Sequence, residues 1–99
     1  MKQGGCVYIL TNQYNKVLYT GVTSILRARI WEHKTKFYPK SFTAKYNCNK
    51  IVWYQNYPRI EEVIEREKQI KDGSRKDKED LIKSINSTWK DLWEDIQDL

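Results

Sequence analysis

With 99 residues, 39% of them hydrophobic and 31% charged, the chain can enclose one apolar core but not two, so a single domain over 1–99 is expected. No apolar run approaches the ~18–20 residues that a membrane span needs, and the N-terminus carries neither an h-region nor a small-residue cleavage site, so a cytoplasmic location is expected. The net charge of +5 is unevenly spread: residues 24–50 hold seven bases against one acid, while residues 51–99 hold nine against twelve, so a polyanion would dock on the earlier segment.

Taken in chain order, Cys6 to Leu10 and Val17 to Val22 are β-branched and aromatic runs flanking the turn-like Asn12-Gln13-Tyr14-Asn15, which predicts a β-hairpin. If its register sets residues summing to 27 opposite each other, Tyr8 and Tyr19 form a cross-strand pair on one face. Thr23 or Ser24 then caps a helix in which Leu26, Ile30, His33 and Phe37 recur at helical spacing, placing His33 on or beside the buried stripe. The stretch 38–49 contains Pro39, Asn47 and Asn49 without periodicity and reads as a basic loop.

Ile51-Val52-Trp53-Tyr54 predicts a third strand. Pro58 opens a helix from about Arg59 to Lys71, ended by Gly73. Ser74 and Asp77 form a capping pair for another helix through Ile85, which Asn86 breaks. Thr88 caps a last helix over about 88–97, with Trp89, Leu92, Trp93 and Ile96 as its apolar stripe. The fold class is α/β (α+β), with a small, mainly antiparallel three-stranded sheet flanked by helices and a core over about 5–86.

Several side chains carry possible chemistry. Ile60, Val63, Ile64 and Ile70 define the apolar face of their helix, and Glu67 lies within that stripe. A carboxylate facing a core costs several kcal/mol unless it is paired or binds a metal, so Glu67 is either a stripe-edge residue paired with a base or a metal ligand. Mg²⁺ often takes only one or two protein carboxylates and completes its shell with water and phosphate oxygens. Arg29 and His33, four apart, share a helix face. Arg29 suits bidentate phosphate binding, while His33 is either a satisfied core histidine or a base working near neutral pH. Lys34, Lys36, Lys40 and Lys45, with Arg27, are candidate phosphate contacts. The interleaved Trp31, Phe37, Tyr38, Phe42 and Tyr46 would either stack on unpaired bases or cover the core. Cys6, Cys48 and the lone His33 are too few for a structural zinc site, and Cys6 reads as a small core residue.

The run Gly5-Cys6-Val7-Tyr8-Ile9-Leu10, and then Tyr19-Thr20-Gly21 leading into Arg27, Arg29 and His33, resembles the signature of the GIY-YIG endonucleases. The segment from Glu62 to Lys71 is similar to that family's metal-binding helix, and the stretch Leu81 to Leu92 is similar to the tail of its small stand-alone bacterial members, which are related to the nuclease domain of the excinuclease incision subunit. Two positions depart from the pattern, with Cys6 at the opening glycine-type position and Ser87 where proline is usual.

The resemblance implies hydrolysis of DNA, branched or single-stranded, in repair or recombination, with a protein partner as a possible source of specificity. It implies one Mg²⁺ or Mn²⁺ held by Glu67, water attacking in line, and products with a 5′-phosphate and a 3′-hydroxyl. Tyr8, Tyr19 and His33 would handle the water, and Arg29 the phosphate charge. Gly21 would permit close backbone approach of substrate or an unusual strand end, and Asn86 would hold substrate or only cap a helix. A phenol pKa of ~10 makes either tyrosine a poor base at neutral pH unless a neighbour activates it. The alternative function is a nucleic-acid-binding module that no longer cuts.

Overall fold

The computed structural model describes residues 4–97. Strand β1 (Gly5–Thr11), strand β2 (Leu18–Thr23), helix α1 (Leu26–Lys34), the short helix α2 (Phe42–Lys45), strand β3 (Lys50–Tyr57), helix α3 (Ile60–Asp72), helix α4 (Arg75–Ile85) and the short helix α5 (Trp93–Ile96) follow in order. The sheet has the order β2-β1-β3 with both pairings antiparallel.

The central strand β1 is buried on both faces, and its alternation divides the core in two. Cys6, Tyr8 and Leu10 face Leu26 and Ile30 of α1, with Ile51, Leu92 and Ile96. Val7 and Ile9 face Val63 and Ile70 of α3, Ile82 of α4 and Trp89. A bulge between Ile9 and Leu10 leaves Val52 as the extra residue of β3, so that Val52 and Trp53 both turn to the α3 side. Arg75 at the start of α4 donates to the carbonyls of Asn15 and Lys16, both at 2.7 Å, which ties the hairpin tip to the helical layer.

Three expectations are corrected. Tyr8 stands opposite Gly21 and Tyr19 opposite Leu10, so the hairpin register sums to 29 rather than 27. The wider loop leaves Asn12 free to accept from the amides of Lys16 and Val17, with Asn15 at a positive φ of 59° closing the turn. Stretch 38–49 is not wholly loop, because Ser41 caps α2 by accepting from the amide of Ala44. Phe37 leaves the apolar stripe because α1 ends at Lys34 and Lys36 turns to a φ of 54°; the ring is 56% exposed.

The expected last helix over 88–97 is also shorter than its stripe. Asn86 ends α4, Trp89 adopts a φ of 58°, and only Trp93–Ile96 is helical. The reason is that the four apolar residues serve opposite faces of the sheet. Trp89 packs with Val7 and Ile9, whereas Leu92 and Ile96 pack with Tyr8 and Leu10. The tail crosses the outer edge of β3, with the amide of Leu92 donating to the Ile51 carbonyl and the amide of Ile51 donating to the Asp91 carboxylate. A straight helix would bury one stripe against one face only.

Candidate functional site

Alternation along β1 and β2 turns Tyr8, Tyr19 and Gly21 to the α1 side of the sheet. Tyr8 and Tyr19 are diagonal neighbours, with ring centroids 6.4 Å apart. His33, on the last turn of α1, completes a triangle with them at 5.7 and 5.8 Å. The Tyr8 hydroxyl lies 2.9 Å from His33 Nε2, and His33 Nδ1 lies 2.8 Å from the hydroxyl of Thr43 in α2. Arg29, one helical turn before His33, lies against the Tyr8 phenol and is held by Glu32 at 2.9 Å. The structure therefore brings four sequence-predicted residues, Tyr8, Tyr19, Arg29 and His33, into one cluster.

Gly21 explains how Tyr8 reaches across the sheet. A Cβ at this position would lie 2.5 Å from the Tyr8 hydroxyl oxygen, 2.6 Å from Cζ and 2.9 Å from a Tyr19 ring carbon. The missing side chain is the space that the phenol occupies, and it carries the hydroxyl from the central strand over the edge strand β2. Gly21 is itself buried, and its requirement is met by tyrosine packing rather than by a backbone turned toward solvent.

Burial sets the protonation states. It raises the Tyr8 pKa above the ordinary phenol value, assisted by Tyr19 and opposed by the Arg29 charge. Burial, and then the Arg29 charge, push His33 down to about 4 against a smaller upward pull from Glu32. At neutral pH both groups are uncharged, with His33 able to accept a proton and Tyr8 able to give one. Burial would lower the Arg29 pKa, but the Glu32 carboxylate and the Tyr8 phenol raise it overall, so it stays a cation. Tyr8 and His33 are 1% and 5% exposed, whereas the Arg29 side chain is 31% exposed. An incoming anion therefore meets Arg29 and the half-buried Tyr19 before it meets Tyr8.

Glu67 sits between the buried Val63 and Ile70 on α3, which packs across β1 and β2 on the face opposite the tyrosines. Its carboxylate pairs with Lys71 at 3.0 Å, and its side chain is 20% exposed. No group of three or more His, Cys, Asp or Glu side chains converges among the described residues. Glu67 nevertheless fits a hard divalent cation as its single protein carboxylate. An i,i+4 ion pair to a half-exposed lysine is worth only about 0.3–0.5 kcal/mol, so a cation can displace it, with water and phosphate oxygens filling the remaining positions.

The basic segment divides into engaged and open residues. Lys34 donates to the Asn49 carbonyl and pairs with Asp91, and Arg27 donates to the Gln97 carbonyl. Lys36, Lys40 and Lys45 are exposed. Trp31, Phe37, Tyr38, Phe42 and Tyr46 are 40–56% exposed, so of the two roles open to them, covering the core is not theirs. Phe42 stacks on Tyr19 at 6.0 Å and contacts Tyr46 at 4.7 Å, while Tyr38 lies beneath Arg29 at 5.7 Å. These rings extend outward from the tyrosine cluster.

Asn86 is 6% exposed, and its amide is committed inside the protein. It donates to the carbonyls of Val52 and Lys90 and accepts from the amide of Lys90. That geometry makes it the clamp between the tail and β3, beyond the cap that its position suggests. Sequence reasoning missed Thr43 and Glu32, the two direct partners of His33 and Arg29. Glu32 was visible as the only acid in residues 24–50, three residues from Arg29; Thr43 lay in a stretch without periodicity.

Comparison with known proteins agrees with this architecture. Residues 4–80 match the family model of the GIY-YIG catalytic domain. A UPF0213 protein from Syntrophus aciditrophicus (strain SB) is 38% identical over 77 residues, covering 78% of this chain and 87% of that relative. The solution NMR structure of a UPF0213 protein from Bacillus halodurans superposes with a TM-score of 0.58 at 26% identity, covering 91% of this chain and 94% of that one.

Proposed function

The chain belongs to the GIY-YIG catalytic domain family, and from that premise we propose that it is a divalent-metal-dependent endonuclease cutting DNA at unpaired or branched segments. The observation that carries this reading is the buried Tyr8–His33 hydrogen bond with Arg29 against the same phenol. A cation that binds an anion and a neutral base linked to a hydroxyl are what in-line hydrolysis of a phosphodiester requires.

In this reading Arg29 leaves Glu32 for the scissile phosphate and offsets the charge that grows on its oxygens. Tyr19 orients the attacking water beside Tyr8. Tyr8 takes a proton from that water as its own passes to His33, which resolves the high phenol pKa, because the phenol never has to exist as a free phenolate at neutral pH. Glu67 would hold the Mg²⁺ or Mn²⁺, which when bound supplies charge stabilisation at the phosphate and the departing 3′ oxygen. Tyr8 and Glu67 approach from opposite faces, so the phosphate would lie along the free edge of β2. Products would carry 5′-phosphate and 3′-hydroxyl ends.

Lys36, Lys40 and Lys45 would follow the DNA backbone, and the exposed rings from Trp31 to Tyr46 would stack unpaired bases. A nuclease of this size would obtain weak specificity from strand structure or from a protein partner, and a repair or recombination role suits such substrates. The test is cleavage of supercoiled, flapped and single-stranded DNA with Mg²⁺ or Mn²⁺, against EDTA, Arg29→Ala and Glu67→Ala. Metal-dependent cutting lost in both variants, with salt-sensitive binding kept by Glu67→Ala, is expected. Undiminished cutting by Glu67→Ala would remove the metal assignment, and salt-sensitive binding without cutting would leave a binding module only.

A further inference from the structure

We infer that Thr43 is a positioning residue of this site: its hydroxyl accepts the Nδ1 proton of His33, which keeps Nε2 bare to receive the proton of Tyr8. The inference rests on the proposed function for its catalytic consequence, but its structural content stands on hydrogen-bond accounting.

His33 is boxed in from three elements. Tyr8 and Tyr19 face it from the sheet, Arg29 and Glu32 share its helix, and Thr43 faces it from α2. Burial and the neighbouring guanidinium keep the ring neutral at neutral pH, so one proton must be placed on one of two nitrogens. With that proton on Nε2, the ring would donate to the Tyr8 oxygen. The hydroxyl proton of Tyr8, in a residue 1% exposed, would then have no acceptor, since His33 is the one hydrogen-bond partner of that hydroxyl among the described residues. Such a buried orphan is costly.

With the proton on Nδ1, every group is satisfied in one direction. Tyr8 donates to Nε2 at 2.9 Å, and Nδ1 donates to Thr43 at 2.8 Å. Thr43 can pass its own hydrogen toward the Ser41 hydroxyl 3.3 Å away, which also accepts from the amide of Ala44. Thr43 is 3% exposed, so no water competes for its oxygen. The short helix α2 thereby has a purpose beyond closing a loop, because its cap residue and its second residue fix the tautomer of the histidine. When the Tyr8 proton moves to Nε2 and Tyr8 takes one from water, the resulting imidazolium keeps its Nδ1–H bond to Thr43. The extra proton leaves to solvent after the cut, and the departed 3′ oxygen takes its proton from solvent water.

The experiment is nitrogen NMR of the His33 imidazole in the full chain at pH 7, together with cleavage and DNA binding by Thr43→Val and Thr43→Ser. The expected result is a protonated Nδ1 and a bare Nε2 in the unaltered protein. Thr43→Val should lose the protected Nδ1 proton signal and cut roughly 10- to 100-fold more slowly, the range found when the hydrogen-bond partner of a metal-bound histidine is removed, while binding DNA equally in EDTA. Thr43→Ser should restore both. A protonated Nε2 in the unaltered protein overturns the inference, as does a folded Thr43→Val that cuts normally or a folded Thr43→Ser that rescues neither readout. If Thr43→Val does not fold, the unaltered protein and Thr43→Ser still decide it. If nothing cuts, the nuclease reading fails, while the tautomer measurement still judges Thr43.

Discussion

Gly21→Ala tests whether the space above β2 belongs to Tyr8 or to substrate. The added methyl would stand 2.5 Å from the Tyr8 oxygen, so the phenol must retreat by about 0.9 Å to reach an ordinary van der Waals separation. A shift of that size breaks or strains the 2.9 Å bond to His33. Overpacking a well-filled site costs about 1–3 kcal/mol, and the damaged hydrogen bond adds about 1 kcal/mol. Replacing glycine returns about 0.4–1 kcal/mol through the unfolded chain. The net expectation is a loss of about 2 kcal/mol, or a fall of about 8–16 °C in Tm for a domain of this size. Urea unfolding should show a lower midpoint at unchanged m, cutting should be lost, and DNA affinity in EDTA should be kept. Stability within about 0.5 kcal/mol of the parent, combined with weaker DNA binding, would refute the packing argument and give the glycine to close approach of the DNA backbone.

Three further outcomes follow from the same contacts. Glu32→Gln should free Arg29 and raise DNA affinity a few-fold in EDTA, with stability changed by less than about 1 kcal/mol because both side chains are about a third exposed; a weaker complex would show that Glu32 supports Arg29 rather than restraining it. Asn86→Ala should destabilise the fold by roughly 2–4 kcal/mol in thermal unfolding, since it strips partners from Val52 and Lys90, with DNA binding of the folded fraction unchanged; a binding defect at full stability would move Asn86 to the substrate. His33, held at about 4 when folded against about 6.5 when unfolded, binds fewer protons in the native state. Stability should therefore be fully present above about pH 6.5 and fall toward pH 4, by up to about 3 kcal/mol. His33→Gln should flatten that slope in unfolding curves taken across the window, and an unchanged slope would place the titration elsewhere.

The hairpin and the long helices were legible because each is marked by local chemistry. β-branched runs announce β1 and β2, Pro58 and Gly73 bracket α3, and the reciprocal Ser74–Asp77 bonds that open α4 are a capping box written in the sequence. Register was not legible, because it depends on how many residues the turn consumes, and Asn15 at positive φ is a tertiary outcome of that turn. The α2 turn and the tail failed for different reasons. Periodicity needs length, and four-residue helices have none to show. In the tail, Trp89, Leu92 and Ile96 have helical spacing by sequence yet are drawn to opposite faces of the sheet. For the site, Tyr8, Tyr19, Arg29 and His33 could be grouped from spacing once a hairpin and a following helix were granted. Thr43 could not, because its pairing with His33 depends on where an aperiodic segment returns.

The position of Glu67 follows from the same division of faces. A carboxylate inside the Val63–Ile70 stripe is expensive wherever the helix packs squarely on a sheet, yet here it keeps 20% of its side chain exposed and needs only Lys71 for company. That is possible because α3 packs across β1 toward the edge strand β2 rather than centring on β1 and β3. The opposite edge is already spoken for. The tail places the Leu92 amide on the Ile51 carbonyl and the Asn86 amide on the Val52 carbonyl, covering part of β3 as edge strands in soluble proteins are commonly covered. A ligand that must touch both Tyr8, which crosses β2 above Gly21, and Glu67, which comes from beneath it, has the β2 edge as its approach. The glycine that lets the phenol across and the helix that carries a carboxylate toward the same strand are thus two parts of one arrangement, and displacing either should leave the other binding its ligand without acting on it.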